Sequence, residues 1–180
     1  ATDGSGSGVA EVRVSLRNTA TGLYWDGVAW VSGEQWLAAA GNASWSYIGA
    51  PPAWADGVTY AIRSRATDVA GKIETPGAEV RFTFDTTPPT VAVLSPNGGE
   101  VWAGGQPSMI TWSAADTTGL AAVPITLSVS YDAGTTWQTI HAGQANSGSF
   151  SWTPPAVNNN QSLVQVAAVD LAGNRSSDRS

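Results

Sequence analysis

Short apolar runs that alternate with polar positions dominate the chain. In the run 9–17, Val12, Val14 and Leu16 face one way, and Glu11, Arg13, Ser15 and Arg17 the other. A period of two marks a half-buried strand. The same pattern predicts strands over 60–66, 79–84, 91–94, 109–114, 125–131 and 163–169, with shorter ones over 36–37, 44–47 and 149–152. The stretch 23–31 reads as a hairpin. Its Asp26-Gly27 supplies the positive φ of a tight two-residue turn. A second hairpin turns through Asp132-Ala133-Gly134. Pro51-Pro52, Asp56-Gly57, Pro96-Asn97-Gly98-Gly99 and Pro154-Pro155 punctuate the rest. No long stretch carries apolar residues at i, i+3, i+4 and i+7, so the chain reads as all-β.

One seam divides these strands. Phe84-Asp85-Thr86-Thr87-Pro88-Pro89-Thr90-Val91 joins an alternating run to an apolar one. Neither proline donates to a ladder, and each holds the residue before it extended. The seam predicts a short, stiff, Pro-rich linker between domains 1–85 and 86–180. Halves of about 90 residues suit two β-sandwiches.

The halves also repeat. Ala66-Thr67-Asp68-Val69-Ala70-Gly71-Lys72 matches Ala168-Val169-Asp170-Leu171-Ala172-Gly173-Asn174, and Ala1-Thr2-Asp3 matches Ala114-Ala115-Asp116. Such self-similarity marks an array. The repeat is out of phase with the chain ends. The first half has nothing equivalent to 91–94 or 109–114, and the second nothing after Asp170 equivalent to 79–84. A segment of a longer repeat protein is the expectation. Strands lent by neighbouring copies are the other reading. The run 1–8 is either a flexible Gly/Ser linker or an inter-strand loop.

Composition narrows the partners. The 180 residues carry a net charge of −6, with seven arginines, one lysine and no basic cluster. Nucleic acid is an unsuitable partner, and no stretch is long and apolar enough for membrane insertion. With no cysteine, disulfides and thiolate metal sites are excluded. An acidic surface suits divalent cations.

These motifs resemble the bacterial immunoglobulin-like repeats of large secreted and cell-surface proteins. Asp85-Thr86-Thr87-Pro88-Pro89-Thr90-Val91 is similar to their inter-repeat joint, and Ala66–Gly71 to their penultimate strand and turn. Ser95-Pro96-Asn97-Gly98-Gly99-Glu100-Val101-Trp102 with Ile110-Thr111-Trp112 resembles a subtype found on secreted hydrolases and surface proteins. The resemblance implies two tandem Greek-key immunoglobulin-like β-sandwiches, each of about seven strands. It also implies an extracellular or cell-surface location and a spacing, adhesive or accessory binding role. Partners would be adjacent repeats or copies of the chain. A polysaccharide-binding accessory module and a filament subunit built by strand complementation are the alternatives. Ser130-Tyr131-Asp132-Ala133-Gly134-Thr135-Thr136-Trp137 resembles the Asp-box of sialidases, where the Asp and Gly hold a tight hairpin over the Trp. A propeller needs several copies, so one copy implies a stabilised hairpin and not a sialidase.

The leading candidate site is acidic. In an immunoglobulin-like sandwich the loops after the second and sixth strands lie where the linker arrives. Asp116, Asp170 and the linker's Asp85 would then converge. Carboxylates so close repel unless protonated or neutralised, and hard oxygens suit Ca²⁺. Asp3 and Asp68 form the corresponding set of the first domain, and Glu100 is a weaker extra candidate. The plainer reading has each aspartate cap its own turn. Of nine tryptophans, Trp45, Trp112 and Trp152 lie in alternating strands and read as core. Trp25, Trp30 and Trp54 lie beside turns and are the candidates for stacking on sugar rings. The one histidine, His141, is placed in a polar turn with no acidic neighbour. No phosphate loop or metalloprotease motif is present, and the chain reads as non-enzymatic.

Overall fold

The computed structural model describes residues 8–156 and 158–180, which divide between Asp85 and Thr86 into two compact units. Among the described residues there are strands and turns, and no helix long and apolar enough to cross a membrane.

In the first unit β1 (Val9–Asn18) and β6 (Val58–Asp68) form the central antiparallel pair, with Val12 opposite Ala66 and Leu16 opposite Ile62. β7 (Val80–Phe84) continues the sheet beyond β6. The other edge of β1 receives the small hairpin β2 (Tyr24–Trp25) and β3 (Trp30–Val31). Further along it β4 (Leu37–Gly41) pairs, followed by β5 (Trp45–Tyr47). The seven strands are thus hydrogen-bonded into one connected sheet rather than two separate ladders. Alternation sets the core. Val12, Val14 and Leu16 are buried, as are Tyr60, Ala61 and Ala66.

The second unit has two sheets. β8 (Thr90–Ser95), β9 (Ser108–Ala115) and β12 (Ser149–Trp152) form one, in the order β12-β9-β8. β10 (Leu120–Ser130), β11 (Gln138–Gln144), β13 (Leu163–Asp170) and β14 (Arg175–Arg179) form the other, in the order β11-β10-β13-β14. The chain crosses between sheets after β9, β11 and β12, the three-plus-four arrangement of an immunoglobulin-like sandwich. Val93, Ile110 and Trp112 from the first sheet pack with Ile125, Leu127, Val164 and Val166 from the second. Fully burying one such side chain contributes about 1.5–3 kcal/mol. The prolines sit just before β8. Pro89 is buried, and its carbonyl accepts the Ser176 hydroxyl.

The repeat reappears in three dimensions. β1, β6 and β7 have the pairing of β10, β13 and β14. Val9 opposes Asp68 ahead of an irregularity, as Leu120 opposes Asp170. The Val69 N–H donates to the Gly8 carbonyl at 2.9 Å, and the Leu171 N–H to the Gly119 carbonyl at 3.0 Å. Among the described residues the first unit has no strand in the place of β8 or β9.

Several expectations need correction. The second unit does not lack its last strand: β14 lies beside β13, where β7 lies beside β6. Its Arg-Ser-Ser-Asp-Arg sequence has no apolar alternation because it is a polar edge strand held by main-chain bonds. The turn at Asp26 spans four residues, not two, since the Asp26 N–H donates to the Ala29 carbonyl and Trp25 pairs with Trp30. The Asp26 carboxylate takes the Val28 and Ala29 N–H groups, both at 2.8 Å, which stabilises the longer loop. His141 lies within β11 rather than in a turn, stacked on Phe150 at 5.1 Å.

Candidate functional site

Asp116 follows the end of β9 and Asp170 closes β13, and the second unit brings them together. One carboxylate oxygen of each lies within 4.8 Å of the other. Each also holds its own turn. Asp116 Oδ1 accepts the Thr118 N–H at 2.8 Å, the Thr118 hydroxyl at 2.9 Å and the Gly119 N–H at 2.9 Å. Asp170 Oδ1 accepts the N–H groups of Gly173 and Asn174 at 2.7 and 2.8 Å, and its Oδ2 accepts the Asn174 amide at 2.8 Å. Asp170 is 2% exposed. Burial works against its ionisation, but the Asn174 amide and the backbone donors of Asn174 and Gly173 outweigh that and lower its pKa. Two carboxylates therefore share one loop cluster, each oriented by neutral donors. Turn capping and cation binding are compatible here, because a capping oxygen leaves carboxylate lone pairs over.

Asp85 follows β7 and is the last residue of the first unit. Asp68 ends β6, and its carboxylate accepts the Lys72 N–H at 2.7 Å, so it repeats the turn capping of Asp170. Asp3 lies outside the described residues. Glu100 is exposed and caps the turn before it, accepting the Asn97 N–H at 2.6 Å.

The tryptophans chosen for sugar stacking are placed otherwise. Trp25 is buried, at 7% exposure, with its indole N–H on the Ala50 carbonyl at 3.0 Å. Trp30 and Trp54 are half-buried. Trp30 stacks on Tyr60 at 5.7 Å, and Trp54 meets Tyr60 edge-on at 4.7 Å and Phe82 at 5.3 Å. Together they form the aromatic core of the first unit with Leu16. Turn-flanking position suggested exposure, but the large rings fill a thin core. Of the residues read as core, Trp112 is buried, while Trp45 and Trp152 are half-buried.

Ser130–Trp137 forms a tight hairpin tip. Asp132 accepts the Thr136 hydroxyl, the Thr136 N–H and the Ser130 hydroxyl at 2.6, 2.8 and 2.7 Å. Ala133 and Gly134 have φ of 55° and 87°, the left-handed region that glycine adopts without strain. The Trp137 indole N–H closes onto the Gly134 carbonyl at 3.1 Å.

Beside this hairpin lies a feature that the sequence did not disclose. A cavity of about 520 Å³ opens at the end of the second unit away from Asp170, floored by Val129 and Val164. Its walls include Trp102, Trp152 and Tyr131, with Asn158 and Asn160 at the rim. In sequence the asparagine run carries no motif, and Trp102 stands out only as the end of the stretch Ser95–Trp102.

Residues 95–176, within the second unit, match the model of the Kre9/KNH-like N-terminal Ig-like domain. No curated protein matches the chain. Among solved structures, the chain is similar to the fibronectin(III)-like modules of Clostridium thermocellum CbhA. That likeness has 17% identity and a TM-score of 0.48, over 97% of this chain and 77% of the other. It is also similar to a tetra-tandem repeat from the extending region of a large adhesion protein. There the identity is 21% and the TM-score 0.36, over 95% of this chain and 41% of that one. The matched domain model and the strand order of the second unit describe the same thing, an immunoglobulin-like module.

Proposed function

We propose that the chain is a non-catalytic structural or adhesive module of a larger extracellular protein, built from repeats of one immunoglobulin-like unit. The observation that carries this reading is the repeated set β1, β6 and β7 against β10, β13 and β14, with its matched Gly8–Val69 and Gly119–Leu171 bonds. A chain that reuses one scaffold, including the turn chemistry at its strand ends, is organised as an array.

The array is stiffened by calcium at Asp85, Asp116 and Asp170. Support comes from Asp116 and Asp170, whose carboxylate oxygens come within 4.8 Å of one another inside the second unit. Hard carboxylate oxygens are the donor set that Ca²⁺ takes, with backbone carbonyls and water completing six to eight ligands. Asp68, whose turn matches that of Asp170, is the corresponding ligand of the first unit. The test is calorimetric unfolding of the whole chain with Ca²⁺ and with chelator. A higher unfolding temperature in Ca²⁺, abolished by Asp116→Asn, is expected; identical traces in both conditions would sink the calcium assignment. The repeat reading is tested separately, by whether the chain adjoins further units of this type in its full-length protein.

A further inference from the structure

The cavity of the second unit is walled by groups suited to a sugar. Small-molecule sites occupy about 300–1,000 Å³ and combine apolar or aromatic walls with a few convergent polar groups. This one, at about 520 Å³, has Trp102 and Trp152 with ring centroids 6.2 Å apart, at 62° to each other. The two faces meet at a corner rather than stacking shut. Two other tryptophans of the unit have their indole N–H groups bonded, Trp112 to Asn146 and Trp137 to Gly134. Among the described residues, Trp102 and Trp152 have no such partner, and neither do the Tyr131 hydroxyl or the amides of Asn158 and Asn160. Donors and acceptors without protein partners therefore surround an aromatic corner.

The pocket is also built rather than incidental. The Gly105 N–H donates to the Pro154 carbonyl at 2.8 Å, tying the loop after Trp102 to the end of β12. A Cβ on Gly104 would lie 2.4 Å from Ala156 Cα, so this approach requires glycine. Across the cavity the Asn159 amide donates to the Tyr131 carbonyl at 2.7 Å, pinning the asparagine run to the Asp132 hairpin. The hairpin thereby positions one wall.

We infer that this cavity, with Trp102, Trp152 and Tyr131 as its aromatic wall and Asn158 and Asn160 as its polar rim, binds a neutral saccharide. The C–H face of a pyranose is apolar and packs on an indole, and planar amides can donate and accept toward adjacent hydroxyls. Glu100 is the one charged lining residue. Its carboxyl is held below the usual range by the Asn97 N–H, so it is anionic at neutral pH and disfavours acidic sugars. The site is separate from the acidic cluster, at the other end of β13.

The experiment uses the intact chain, ¹⁵N-labelled at its tryptophan indoles, titrated with millimolar cellobiose, laminaribiose, gentiobiose and maltose, and with glucuronic acid as the anionic control. At least one neutral disaccharide shifts the Trp102 and Trp152 indole resonances and leaves those of Trp112 and Trp137 in place. The double variant Asn158→Ala, Asn160→Ala weakens that binding roughly tenfold, the loss of two modest hydrogen bonds. Both residues are exposed rim positions, so folding is preserved, while Trp102→Ala tests the wall itself. No indole shift with any of the four disaccharides overturns the proposal, as does an equal shift of all four indoles in the unit. A stronger response to glucuronic acid overturns its neutrality.

Discussion

The Thr136 hydroxyl donates to Asp132 Oδ2 at 2.6 Å while the Thr136 N–H donates to Oδ1 of the same carboxylate at 2.8 Å. With the Ser130 hydroxyl on Oδ1, these bonds lower the Asp132 pKa from 3.8 to about 2. A depressed folded-state pKa contributes stability that is present above the unfolded value and lost as pH falls through the folded one. The contribution of Asp132 is therefore full above about pH 4 and disappears near pH 2. Asp132→Asn should lower the unfolding temperature of the second unit by a few degrees at pH 7. The gap between variant and parent should narrow across that window, as read by calorimetry at stepped pH. A gap unchanged from pH 6 to pH 2 would show that the carboxylate charge has no part in it.

Asp116 and Asp170 should separate turn capping from cation binding. Asp116→Asn keeps an oxygen for the Thr118 and Gly119 donors, so chelator-treated protein should unfold close to the parent temperature. Its response to added Ca²⁺ should be lost. Asp170→Asn places a neutral amide at a site that is 2% exposed and already full of donors. Hydrogen bonds to a charged acceptor are worth about 1.5–3 kcal/mol each, so this variant should be destabilised with or without calcium. Two variants equally sensitive to Ca²⁺ would remove both residues from the ion.

What could be read in the sequence was whatever alternation and turn chemistry encode. The period-two faces of Val12, Val14 and Leu16, and of Ile125, Leu127 and Val129, placed the central strands of both units. Aspartates at strand ends marked the loop cluster of Asp116 and Asp170, because an immunoglobulin-like sandwich places the loops after its second and sixth strands at one end. β14 stayed hidden, since main-chain pairing at an edge imposes no apolar pattern. Burial of turn-flanking aromatics was also hidden. Trp25 and Trp102 look alike in sequence, but one lies under its sheet and the other lines a cavity. That cavity depends on a contact between loops that are distant along the chain, Gly104 against Ala156, which no local pattern announces.

Leu127 is fully buried between the sheets of the second unit, opposite Val166 on β13. Leu127→Ala removes apolar burial and leaves a cavity that a two-sheet core can only partly close, at a cost of about 2–5 kcal/mol. Denaturant titration should show the loss as a lower midpoint for the second unit. Leu94→Ala, at a position 55% exposed, serves as the comparison and should change stability by under about 0.5 kcal/mol. Equal effects would contradict the placement of the core.

Trp25 decides whether the first unit uses its aromatics to bind or to fold. Its ring lies 5.6 Å from Trp30, whose own ring stacks on Tyr60, and Tyr60 in turn stacks on Phe82. Removing the first ring undermines the chain of contacts behind it, so Trp25→Ala should cost about 3–5 kcal/mol, in the range of large aromatic truncations. Trp25→Phe keeps most of the packing and removes one of the two donors on the exposed Ala50 carbonyl, which retains the Tyr47 hydroxyl at 3.4 Å, for about 0.5–1.5 kcal/mol. A role in sugar stacking predicts the opposite order of effects: unchanged stability and lost polysaccharide retention. Thermal unfolding of both variants, alongside retention on insoluble polysaccharide, distinguishes the two. Stability that falls in the order Trp25→Ala below Trp25→Phe below parent fixes Trp25 as the anchor of its core.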